Sequence, residues 1–166
     1  MSKLFALIVS FASLISLPAA AAVPVLGPDA PSCVNGRPSL LVTVHGFKSL
    51  TGRVRVQIYP ANGDFLGGGK WLRRVDLPVN AGAMHVCIAV PAPGNYAVAV
   101  RHDVNGDGRK RDWGDGGGFS RNPSLSLFHL KPSVREVAVP VGNGVRTVDV
   151  ILNYRSGLSI GPVGRG

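Results

Sequence analysis

Between residues 39 and 154 apolar side chains recur at every second position, the period of a β-strand with one buried face. In "SLLVTVHG" Leu40, Val42 and Val44 share a face, and in "GRVRVQIYP" Val54, Val56 and Ile58 do so while Arg53, Arg55 and Gln57 point the other way. "KWLRRVDLPV" is a less regular strand; "AMHVCIAVP" alternates Met84, Val86, Ile88 and Val90, and "GNYAVAVRHD" alternates Tyr96, Val98 and Val100 with alanines. "VREVAVPV" and "VRTVDVILNY" follow, joined by the hairpin-like turn "GNG". Glycine and proline punctuate the junctions, and no stretch beyond residue 22 sustains a helical period. The pattern predicts an all-β domain over residues 39–154, an antiparallel seven-stranded β-sandwich.

The two ends break the pattern. Residues 1–22, "MSKLFALIVSFASLISLPAAAA", carry an early lysine, an apolar run from Leu4 to Leu17 and a small-residue site at Ala20-Ala21-Ala22, as a secretory signal peptide does. The run is shorter than the roughly 20 residues that a bilayer span requires, so a cleaved, periplasmic or secreted protein without a transmembrane span is expected. Residues 23–38, with Pro24, Pro28, Pro31 and Pro38, read as an extended leader, and residues 155–166 as a flexible tail.

Cysteine and charge refine this picture. In an oxidising compartment Cys33 and Cys87 are expected to form one disulfide. Cys87 has the opposite parity to Met84, Val86 and Ile88, so the bridge should pin the leader across the outside of a sheet; with no Cys-His motif nearby, its role is structural. Lys and Arg number 18 against 9 acids, a net charge of +9 at pH 7. That balance favours an anionic ligand or envelope component as partner, with Arg53 and Arg55 on one outward face as candidate anion-binding residues. Nucleic acid is not indicated.

The chemistry concentrates in "RHDVNGDGRKRDWGDGGGFS", residues 101–120. Asp103, Asn105 and Asp107 occupy positions 1, 3 and 5 of a calcium loop and Gly108 position 6, where alternate oxygens converge around a sharp turn. The Arg109 carbonyl suits position 7. Position 12 is Gly114 in place of the usual glutamate, with Asp112 and Asp115 as substitutes. Two counter-ions answer to this pattern: Ca²⁺, bound at roughly 10⁻⁴ to 10⁻³ M as in extracellular modules, or Arg109, Lys110 and Arg111 around an Asx-bonded turn. The spacing favours Ca²⁺. "GDGGG" lacks the lysine and the helix of a phosphate loop; it is expected to fold the chain back over the sandwich end, with Trp113 and Phe119 as apolar anchors.

The strand "LLVTVHGFKSLTGRVRVQIYP", then "FLGG", then "PGNYAVAVRHDVNGDGRKRDWGDGGGFSRNPS" and a closing "VDVILNY" resemble a family of small secreted bacterial proteins known as a domain of unknown function. The resemblance covers roughly residues 39 to 154 and implies a transthyretin-like or immunoglobulin-like sandwich in an exported protein, with no established reaction. The basic "RKRDW" after the acidic turn departs from the family pattern. A second class is an enzyme: transthyretin-like hydrolases of 5-hydroxyisourate end in Tyr-Arg-Gly-Ser, whereas Tyr154-Arg155-Ser156-Gly157 reverses the last two residues. His45, His85, His102 and His129 show no metal-ligand spacing. The favoured reading is a non-enzymatic exported module with calcium at the 103–115 loop.

Overall fold

A computed structural model describes residues 23–109 and 112–164. The expected signal peptide lies outside the described residues, as do Lys110 and Arg111.

Two sheets enclose one core. In the first, β1 (Val25–Leu26), β5 (Ala83–Ala89), β2 (Ser39–His45) and β9 (Val145–Ile151) lie in that order. The second runs β11 (Ser159–Gly161), β10 (Asn153–Ser156), β7 (Gly116–Phe119), β6 (Gly94–Asp103), β3 (Arg53–Pro60) and β4 (Arg73–Pro78), and β8 (Ala138–Val141) joins the other half of the β6 edge that β7 uses. The residues expected on the buried faces are there: Leu40, Val42, Val44, Val54, Val56, Ile58, Val86, Ile88 and Val98 are all fully buried. The architecture is all-β, with two mostly antiparallel sheets packed as in a sandwich.

Several boundaries differ from the periodicity. Among the described residues the seven expected strands are present in a set of eleven, and two pairings are parallel: β2 with β9 and β1 with β5. The last apolar run splits at Leu152, whose amide bonds the His45 carbonyl at 3.0 Å; β9 stays in the first sheet and β10 crosses to the second. Residues 134–137, expected to be strand, form a short helix α2 (Val134–Val137), because the Glu136 carboxylate accepts hydrogen bonds from both the amide (2.7 Å) and the hydroxyl (2.8 Å) of Ser133 and closes the first turn.

The ends are more ordered than composition suggested. The leader forms β1 and a helix α1 (Ala30–Val34) with Pro31 in its first turn, where proline is tolerated. Asp29 accepts the Ala89 amide at 3.0 Å, and the disulfide Cys33–Cys87, with a Cα separation of 6.1 Å, ties α1 to the outer face of β5. The parity argument for Cys87 therefore holds. At the other end β10 and β11 pair antiparallel through residue 161 in place of a loose tail.

"GFSRN" joins the sheets. The buried Ser120 hydroxyl accepts the Val98 amide (3.0 Å) and donates to the Val137 carbonyl. Arg121 and Asn122 adopt left-handed φ angles of 64° and 47°, which turn the Asn122 amide onto the open edge of β9. There it donates to the Asp149 carbonyl at 3.1 Å and accepts the Ile151 amide at 2.8 Å, standing in for a neighbouring strand. Asn122→Gly keeps the backbone angle and removes both bonds, so a loss of about 1 kcal/mol in urea unfolding is expected. An unchanged midpoint would show that water replaces the amide at no cost.

Candidate functional site

β6 runs antiparallel to β3 and delivers Asp103 opposite Arg53 at one end of the second sheet. The turn before β3 fixes the start of the following loop. Gly52, at φ +73°, packs its Cα against the Asp103 carbonyl so closely that an added Cβ would lie 2.0 Å from that oxygen, and Thr51 Oγ1 donates to the Val104 carbonyl at 3.1 Å. Beneath them His102 is fully buried: Nε2–H donates to the Thr51 carbonyl at 2.8 Å, and Nδ1 accepts from the Tyr154 hydroxyl at 2.6 Å. That hydroxyl also accepts the Lys48 amide at 3.1 Å.

The loop then closes on its own polar groups. Asp103 accepts the amides of Gly106 (2.9 Å) and Gly108 (2.8 Å), the latter at φ +75°, the sharp turn expected at that position. Asn105 Oδ1 accepts the Asp107 amide at 3.1 Å, and Asp107 accepts the Arg109 amide at 2.8 Å. Asn105 Nδ2 lies between two carboxylates, 3.2 Å from Asp107 and 2.9 Å from Asp112. Asp112 also accepts the Gly114 amide at 2.9 Å.

Four of the expected ligands, Asp103, Asn105, Asp107 and Asp112, thus share one turn. Arg109 brings its guanidinium as well as its backbone, 3.5 Å from Asp107. Asp115 is drawn aside: it accepts the Val104 amide at 3.2 Å and pairs with Arg101, whose guanidinium also reaches to 3.9 Å from Asp103. Burial nevertheless pushes the Asp115 carboxyl above its ordinary range; the Val104 amide and Arg101 oppose this, while Asp103 and Asp112 add to it. The loop carries four carboxylates, Asp103, Asp107, Asp112 and Asp115, and four cations, Arg101, Arg109, Lys110 and Arg111. Among the described residues no group of three or more His, Cys, Asp or Glu side chains is gathered for a metal.

Of the two expected anion-binding residues Arg55 is ion-paired, whereas Arg53 is exposed and bonds only a backbone carbonyl. Arg55 Nε lies 2.7 Å from Asp76, Arg53 donates to the Asp76 carbonyl at 3.1 Å, and Arg74 approaches the same carboxylate. Burial would raise the Asp76 carboxyl, but hydrogen bonds from Arg74 and Arg55, with their charge, hold it below its ordinary value.

β7 and its neighbours shape the outer face of the second sheet. Phe119 is an apolar anchor as expected, meeting Phe65 edge-on at 6.0 Å, with Phe65 in turn on Tyr59 at 5.5 Å. Trp113 is not an anchor: it is 72% exposed, and the Arg155 guanidinium stacks 3.5 Å above its ring. A groove of about 250 Å³ runs beside them, lined by Trp113, Phe119, Leu125, Leu127, Leu130 and Arg155. Tyr154 faces inward to His102 while Arg155 turns outward. The groove, the Arg101–Asp115 pair and the His102–Tyr154 network carry no local sequence signal, since each joins residues from separate segments of the chain; only the outward parity of Arg101 hinted at one of them.

No curated protein and no solved structure matches the chain. A family model described as "Uncharacterized protein conserved in bacteria (DUF2141)" matches residues 42–149, from β2 to β9, and the chain belongs to that family.

Proposed function

We propose that this protein is an exported, non-enzymatic β-sandwich module that works at the bacterial envelope and takes up Ca²⁺ at its 103–115 loop. The observation that carries the calcium part is the convergence of Asp107 and Asp112 on Asn105 above Asp103, around the left-handed Gly108. The amide hydrogens of Asn105 stand where a cation would draw the two carboxylates together. Hard oxygen donors of this kind suit Ca²⁺ over zinc. Export is supported by the Cys33–Cys87 bridge, which a reducing cytoplasm would not preserve. No helix among the described residues is long and apolar enough to cross a membrane.

Thermal unfolding in calcium and in chelator tests this. A ligand that binds only the native state stabilises it by mass action, about 1.4 kcal/mol at ten times its Kd, or a few degrees in Tm. Asp107→Ala and Asp112→Ala should each abolish the calcium-dependent part, and Asp64→Ala, on an exposed loop beside Lys70, should leave it intact. Equal melting of the wild-type protein in calcium and chelator would refute calcium binding and leave an arginine-neutralised turn.

A further inference from the structure

The segment between β7 and α2 ends in an exposed apolar tip. Ser126 and His129 exchange both backbone hydrogen bonds, at 3.3 and 3.0 Å, which leaves Leu127 and Phe128 as a two-residue turn. Leu127 is half-buried in the groove beside Leu125, whereas Phe128 is 101% exposed. Leu130 (49%) and Trp113 (72%) extend the same apolar rim. The tip is braced: His129 Nε2 lies 3.2 Å from Glu136, itself bonded to Ser133. Large exposed apolar side chains held on a rigid turn mark a surface that meets a partner.

We propose that this tip docks on an anionic lipid surface. The charge around it selects that occupant. Lys131 follows Leu130 directly, Arg121 donates to the Arg135 carbonyl at 3.0 Å, and Arg155 lies on Trp113. These four cations make no ion pair among the described residues, unlike Arg55, Arg74 and Arg101. Of the nearby acids Asp115 is paired with Arg101, while Glu136 and Asp112 hold hydrogen bonds and keep their charge and Asp149 lines a pocket with Arg121, so the cations outnumber the unpaired acids four to three. An aromatic tip enters the headgroup layer while unpaired cations meet lipid phosphates at its edge, and a preformed turn loses little freedom on docking. The net charge of residues 23–166, +8 once Lys3 of the expected signal peptide is taken from the +9 of the whole chain, acts in the same sense.

The inference rests on the envelope part of the proposed function and is independent of calcium. Cell fractionation tests the envelope location by itself; vesicle binding, measured in chelator on protein recovered from the periplasm, tests the tip. Wild-type protein should sediment with vesicles of equal parts phosphatidylcholine and phosphatidylglycerol, and salt should weaken the binding. Phosphatidylcholine alone should bind much less. Phe128→Ser should weaken binding roughly ten-fold or more, as expected for an apolar ring kept in water, with an unchanged Tm. Lys131→Ala with Arg135→Ala should cost roughly five-fold per cation and flatten the salt dependence. Absence of wild-type binding, equal binding by Phe128→Ser, or equal binding to neutral vesicles would overturn the assignment. So would a dimer in sedimentation equilibrium that Phe128→Ser dissolves, because the tip would then face a second copy of the chain.

Discussion

Replacing Cys33 and Cys87 together with alanine is expected to lower stability by about 4 kcal/mol, since the bridge closes a loop with a sequence separation of 54 and restricts the unfolded chain. At roughly 2 to 4 °C per kcal/mol, Tm should fall by about 10 °C. The bridge does more than shorten the free chain: α1 has no buried residue of its own, so its hold on β5 comes from Cys33 and from Asp29 on the Ala89 amide. The double variant should therefore lose hydrogen-exchange protection first at α1 and along the outer side of β5. A fall below about 1 kcal/mol, with protection of α1 retained, would show that β1 and Asp29 hold the leader without the bridge.

Tyr154→Phe is expected to cost about 2 to 3 kcal/mol. Its hydroxyl donates to Nδ1 of a fully buried imidazole and accepts a backbone amide, and phenylalanine leaves both without a partner. The same group sets an alkaline limit. Burial pushes Tyr154 up to about 12, above the value near 10 of an exposed phenol. The folded protein thus holds this proton more tightly than the unfolded chain does. The resulting stability is complete below about pH 10 and is lost as pH climbs towards 12, at about 1.4 kcal/mol per pH unit. Tyr59, also raised by burial, contributes in the same direction, so Tyr154→Phe should reduce the slope without removing it. Urea midpoints measured across that range provide the check; an identical slope in the variant would mean that Tyr154 ionises as freely in the folded state as in the unfolded one.

What could be read from the chain depended on whether the signal was local. Val54, Val56 and Ile58 announce their strand because a one-residue alternation carries the information, and Cys87 reveals its outward direction by the same rule. Pairing partners carry no such mark. Nothing around Val148 says that β9 lies parallel to β2, and nothing around Arg55 says that Asp76 stands opposite it, because both depend on register across a sheet. β7 was hidden by composition: "GGGF" lacks the branched side chains of a strand, yet glycine is required there, as a Cβ on Gly116 would lie 2.3 Å from the Tyr154 ring. The acidic turn was legible in part. Asp103 to Gly108 form a sharp turn closed by Asx hydrogen bonds, while the pairing of Asp115 with Arg101 needed the β6–β7 pairing to be known.

The parallel pairing of β2 with β9 also imposes an order of assembly. β2 lies between β5, which follows it early in the chain, and β9, which is made only after β6, β7 and β8. In a chain that emerges amino end first, Cys33 can meet Cys87 as soon as β5 is free, before any strand exists to cover the other side of β2. An oxidant acting at that moment would lock α1, β2 and β5 as a half-sheet whose second edge still awaits its partner. Until β9 pairs with it, that edge of β2 offers its backbone to any extended peptide, so closure by β9 is what removes the hazard of mispairing.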